Sequence, residues 1–165
     1  MTTANIPLGP GTLKIGATGS ELDVSCLVNN AKITPNKDQG DSKTKLCGDV
    51  SAGAVDYTFA LTGNVDQDVA MADGLSALCW ESAGTEQGFT FTPNTAAGAS
   101  AVGTLVLDPL DFGGDEYGED MTSDFEFTIV GKPTITWGTG ITGASSEGQS
   151  EDADAEDTSS ALVGA

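Results

Sequence analysis

The stretch Ser123-Asp-Phe-Glu-Phe-Thr-Ile-Val-Gly-Lys-Pro-Thr-Ile-Thr-Trp137 decides the fold. Phe125, Phe127 and Ile129 alternate with Asp124, Glu126 and Thr128. A period of two belongs to a strand with one wet face and one buried face. Gly131-Lys132-Pro133 interrupts the pattern. Proline has no N–H to give a ladder, so the interruption reads as a bend or turn. Ile135 and Trp137 then resume the alternation against Thr134 and Thr136. No other stretch gathers so many large apolar groups on one face, and the sequence therefore predicts that these two strands form the central pair of the core.

Outward from this pair, Val55, Tyr57, Phe59 and Leu61 alternate with Asp56, Thr58, Ala60 and Thr62 up to Gly63-Asn64. Phe89 and Phe91 make a strand that stops at Pro93-Asn94, and Thr95–Ser100 is a turn of small residues. In Ala101–Leu107 apolar groups fall on both faces, which predicts a strand covered on both sides. Leu13 and Ile15 form a short strand, and Leu22, Val24, Cys26 and Val28 form another. Asn29-Asn30 then reads as a turn, with Ala31–Thr34 returning as a hairpin partner. One segment has helical spacing: Leu75, Leu78, Cys79 and Ser82, with Asp66, Asp68 or Asp73 as N-terminal cap and Gly84 suited to the C-terminal end. The fold class expected is mainly β, an antiparallel β-sandwich or barrel with one short flanking α-helix.

The chain has 165 residues, which suits one domain with a tail. It carries 25 acidic residues against six lysines, with no arginine and no histidine, for a net charge of −19. Such a charge keeps copies soluble and apart. It also argues against direct binding to nucleic acid or an anionic membrane, where Lys and Arg make most contacts. Without histidine, a Ser-His-Asp or Cys-His site is excluded. No nucleotide-binding or other cofactor motif is present, so neither an enzyme nor a cofactor is expected. Cys26, Cys47 and Cys79 are odd in number and widely spaced. With no evident signal peptide or membrane span, reduced thiols and synthesis in the cytoplasm are expected.

Four further segments stand out. Residues 1–11, with Ile6-Pro7-Leu8-Gly9-Pro10-Gly11, read as an N-terminal arm, either frayed or docked on a neighbouring subunit. Residues 12–138 form the domain, from which a polar loop or hairpin at about 35–50 protrudes. Four of the six lysines fall between positions 32 and 45, among them Lys37, Lys43 and Lys45, and a positive patch on an acidic protein is a place for another copy to dock. Residues 139–165 are an acidic tail of Gly, Ala, Ser, Asp and Glu, expected to be flexible. Asp108, Asp111, Asp115, Glu116, Glu119 and Asp120 cluster in a loop with glycines, the one candidate for calcium, but their spacing does not match an EF-hand.

Three stretches, taken in order, resemble the major tail (tail tube) proteins of long-tailed bacteriophages. They are Leu46-Cys47-Gly48-Asp49 after the lysine-rich segment, Leu75–Phe91 with Trp80-Glu81-Ser82-Ala83-Gly84-Thr85, and Leu105–Trp137 with Leu-Asp-Pro-Leu, Gly-Gly-Asp and Gly-Lys-Pro. The resemblance spans roughly positions 12–138. It implies a structural virion protein that self-assembles into hexameric rings, stacked into a tube with other tail proteins, in a virion assembled in the host cytoplasm. The segment before Leu46 would touch the next ring. Genomic DNA would pass through during ejection without specific binding, because an acidic wall repels phosphate. Asp56, Asp124 and Glu126, on the wet faces of their strands, are the candidate lumen acids. The alternatives are an acidic, calcium-dependent β-sandwich binding or adhesin module and a capsid decoration protein.

Overall fold

The computed structural model describes residues 6–139. In chain order the elements are β1 (Thr12–Ile15), β2 (Leu22–Asp23), β3 (Val28–Gln39), β4 (Lys43–Thr44), β5 (Val50–Ser51), β6 (Val55–Asp66), α1 (Leu75–Glu81), β7 (Glu86–Asn94), β8 (Ala99–Val106), β9 (Thr122–Ile129) and β10 (Thr134–Thr136). All pairings are antiparallel. The main sheet runs β2-β1-β7-β8-β9-β6-β3, with β10 beside β8 and β4-β5 forming a separate small ribbon. β8 and β9 meet only where Leu105 faces Ile129, while Ser100–Val102 pair with β10. The sheet folds over at this seam. One buried cluster draws Leu13, Ile15, Phe89 and Phe91 from one half, and Leu61, Val65, Phe125, Phe127 and Ile129 from the other. This is a sandwich and not a closed barrel: β2 and β3 stand at the two ends of the order and do not pair with each other.

β9 bears out its pattern, with Ser123, Phe125, Phe127 and Ile129 buried and the residues between them exposed. Phe125 and Phe127 stack at 5.1 Å between ring centroids. Phe125 lies across from Gly63 of β6, where an added Cβ would come within 2.0 Å of the Asn30 carbonyl oxygen and 2.8 Å of the Phe125 ring. Glycine here lets the strands and the ring approach.

Three expectations need correction. β9 and β10 are not a central pair: Gly131, at φ 72°, turns the chain so that both lie against β8, and β10 is a short, fully exposed edge strand. Ile135 and Trp137 are exposed, since no element among the described residues covers that end of the sheet. Asn29-Asn30 is not a turn. β3 continues through it with a bulge, paired to β6 and not to Leu22–Val28, because Asn29 bonds sideways across β6. β8 is not covered on both sides: Ala101 and Leu105 are buried, whereas Val102 is exposed. Of the loop and hairpin alternatives for the segment from Pro35, the structure has the hairpin, since β3 runs to Gln39 and pairs with β6 as far as Val55. Pro35 is tolerated there because β3 is an edge strand.

The helix forms as its spacing predicts, burying Leu75, Ser76 and Cys79. Of the three possible caps, Asp68 takes the role. Its carboxylate accepts from the Leu75 amide at 2.6 Å and the Ser76 amide at 2.9 Å. Gly84, at φ 78°, leads the chain out of the helix and donates its N–H to Leu107.

Candidate interaction surfaces

Residues directly opposite in a ladder share a face of the sheet. Lys32, Thr62 and Glu126 form one such row across β3, β6 and β9, and Asn30, Asn64 and Asp124 form the next. Asp56 lies opposite Asp38, an even number of residues along β6 from Thr62, and is therefore on the same face. The three candidate lumen acids thus share the wet face of this half of the sandwich, opposite the side that buries Phe125, Phe127 and Ile129. Asp124 and Glu126 are neighbours, while Asp56 is about 20 Å further along β6 at the usual rise per residue. Sequence reading missed the amides that order this face. Asn29 Nδ2 donates to Asn64 Oδ1 at 3.0 Å and to Asp66 Oδ1 at 2.8 Å, and Asn64 Nδ2 donates to Asp124 Oδ1 at 2.9 Å. The chain Asp66–Asn29–Asn64–Asp124 crosses three strands that are distant in sequence, and only their pairing reveals it.

Lys37, Lys43 and Lys45 all lie on a single projection. β6 pairs with β9 only as far as Phe59, whereas its pairing with β3 continues to Val55. Pro35–Gln39 and Val55–Thr58 therefore form a two-stranded ribbon beyond the body, and every residue of it is exposed. Lys37 faces Tyr57, Lys43 is in β4, and Lys45 starts the apex turn. In that turn the Gly48 N–H donates to Lys45, and the Lys45 N–H donates to Asp49, both at 2.8 Å. The turn presents Leu46 and Cys47 to solvent. The expected positive patch is narrower than the lysines suggest. Asp38, Asp41, Asp49 and Asp56 outnumber the three lysines, though the apex, Ser42–Cys47, is free of acid.

The opposite end of β6 carries α1 and the acidic loop. Gln67 fastens the loop: its Nε2 donates to the Gly113 carbonyl at 2.8 Å and to the Thr122 carbonyl at 3.0 Å, and its Oε1 accepts from the Gly113 amide at 3.0 Å. Ser123 Oγ accepts from the Asp111 amide at 3.0 Å, and Trp80 Nε1 donates to the Leu110 carbonyl at 3.0 Å. Among the described residues no three acidic or thiol groups converge to hold a metal ion. Partial burial pushes the Asp68 carboxyl up, but hydrogen bonds from Ser76 and Leu75 outweigh it and hold the group below the usual carboxylate range. Burial, then the charges of Asp68 and Asp108, push the Cys79 thiol up to about 12, so it is an inert core group.

No protein-family model matches this chain, and no curated protein matches it. Solved structures do. A chain from the virion of a native gene transfer agent particle aligns with a TM-score of 0.53 at 17% identity, covering 75% of this chain and 95% of its own. A chain from the tail of an empty gene transfer agent particle, with C6 symmetry, aligns with a TM-score of 0.54 at 16% identity, covering 76% and 94%. The likeness is one of fold. Almost the whole of each neighbouring chain is matched. No helix among the described residues is long and apolar enough to cross a membrane.

Proposed function

We propose that this chain is a subunit of a virion tail tube, a structural protein and not an enzyme. The observation that carries this reading is the fold shared with a chain from a tail of C6 symmetry. It agrees with the order of tail-tube-like stretches in the sequence. Six copies form a ring, and the unpaired edges of the sheet pair with neighbouring copies, which hides edges that would otherwise aggregate. The wet face of β3, β6 and β9 lines the channel. Asp56, Asp124 and Glu126 then repel phosphate, while Lys32 on the same face is outnumbered. Rings stack through the β3–β6 ribbon with Lys37, Lys43 and Lys45. The partners are further copies and other tail proteins, and DNA passes without being held. The protein is assembled in the host cytoplasm and ends in the virion tail.

Negative-stain electron microscopy of the full chain at high concentration, with light scattering alongside, tests this. Hollow rings or tubes with a central channel are expected. A chain that stays monomeric at every concentration reached overturns the proposal.

A further inference from the structure

An apolar groove of about 440 Å³ lies between α1 and the acidic loop. Met71, Trp80 and Phe112 line it and are 59%, 54% and 77% exposed, an unusual display of large apolar groups on so charged a protein. Phe112 is not a loose residue: the Gln67 bonds to its neighbour Gly113 and the Ser123 bond to its neighbour Asp111 hold it in place. Asp68 and Glu81 are the carboxylates in its lining, and segments 66–81 and 108–120, which supply all of its lining residues, contain ten acidic residues and no lysine.

The groove and the ribbon apex lie at opposite ends of the same strand. β6 enters from the ribbon at Val55 and leaves at Asp66, two residues before the Asp68 cap of α1. Its length is about 36 Å at the usual strand rise. One end thus presents Lys43, Lys45 and the exposed Leu46, and the other an apolar trough with Asp68 and Glu81 in its lining. Elsewhere the acid excess would make two copies repel; between these two ends, charge and hydrophobicity both match. We infer that the groove between α1 and the Asp108–Asp120 loop is a socket that receives the ribbon apex of a second copy, with Leu46 seated against Met71, Trp80 and Phe112. Donor and acceptor are different surfaces at opposite ends, so the contact is heterologous and repeats along the β6 direction without closing. It rests on the tail-tube reading and supplies that reading with the receiving surface for ring stacking.

Cys47, next to Leu46 and exposed, allows a direct test. In a Cys26→Ser background, Phe112→Cys is treated with a short bismaleimide under conditions that give tubes by microscopy. Phe112 is solvent-facing, so its replacement should leave the fold intact, and Met71→Cys serves as a second probe. The expected result is a ladder of covalent multimers, about tenfold above a Val102→Cys control on the outer face of β8, because docking raises the effective concentration of the paired thiols. Adding Lys43→Glu and Lys45→Glu should remove the ladder. Tubes without a ladder from either Phe112→Cys or Met71→Cys overturn the socket while leaving the tube reading standing. Absence of any association by the parent chain overturns both.

Discussion

The two halves of β6 obey the same alternation yet live in different surroundings. From Phe59 to Asp66 the strand is flanked by β3 and β9, and Leu61 and Val65 are fully buried. From Val55 to Thr58 it has β3 alone, and Val55 and Tyr57 are exposed. A two-stranded ribbon is marginal by itself in water, whereas a strand with two neighbours and a packed face is stable. The sequence pattern is a statement about which residues share a face. Whether that face is covered depends on how far the neighbouring strand reaches, and β9 ends its pairing at Phe59. The same division applies to β9 and β10: both alternate, but only β9 has a buried face.

The strongest way to break this comparison is to truncate one aromatic on each side of the boundary. Phe127→Ala, in the body, should cost about 3–5 kcal/mol of unfolding free energy in denaturant titration, as for other buried aromatics. Tyr57→Ala, on the ribbon, should stay within about 0.5 kcal/mol of the parent when the chain is monomeric, as for other surface sites. Equal losses at the two positions would mean that the ribbon is part of the cooperative core. Gly63→Ala sharpens the boundary from the body side. The new Cβ meets a backbone oxygen as well as the Phe125 ring, and a loss of about 1–3 kcal/mol is expected in the same titration.

Asp68→Ala tests the far end of β6. Loss of the two amide bonds that cap α1 should cost about 1 kcal/mol at neutral pH. The folded pKa of Asp68 lies below its ordinary value of 3.8, so its contribution is present above that value and lost as pH falls through the folded one. Thermal melts of parent and variant should therefore differ at pH 6 and converge as the pH drops below 3.8. A constant gap down to low pH would assign the loss to something other than the carboxylate. The smallest effect is expected on the ribbon, where Asp38 and Asp56 face each other. Like charges directly opposite are unfavourable, so Asp38→Asn should stabilise the ribbon by a few tenths of a kcal/mol, seen as slower amide exchange at Val55–Thr58 with the body unchanged.

Much of this architecture is legible in the sequence, because the signals involved are local. The alternation of Phe125, Phe127 and Ile129, the helical spacing of Leu75, Leu78 and Cys79, and the glycine at position 84 each act within a few residues. Asp68 could be picked out only as one of three possible caps, since its bonds reach seven and eight residues along the chain. The Asn29-Asn30 bulge was hidden because the dipeptide has turn chemistry, and the pairing partner that overrides it lies 35 residues away. The expected lumen acids were read from their positions on wet strand faces, and register then brings Asp56, Asp124 and Glu126 onto one face. Gln67, Ser123 and the groove they help to shape had no sequence signal, because each depends on the loop after β8 returning to the end of β6. The N-terminal five residues and the acidic tail lie outside the described residues.

Trp80 has a consequence of its own. Its indole is half exposed at the lip of the groove, with the ring nitrogen committed to Leu110, so its environment changes with whatever enters the groove. The only other tryptophan, Trp137, is exposed beyond β10 and can be replaced by phenylalanine. The remaining indole then makes the protein its own optical sensor. Docking of a partner should move the emission to shorter wavelength as water leaves the ring, and the time course of that shift would follow tube growth without any label.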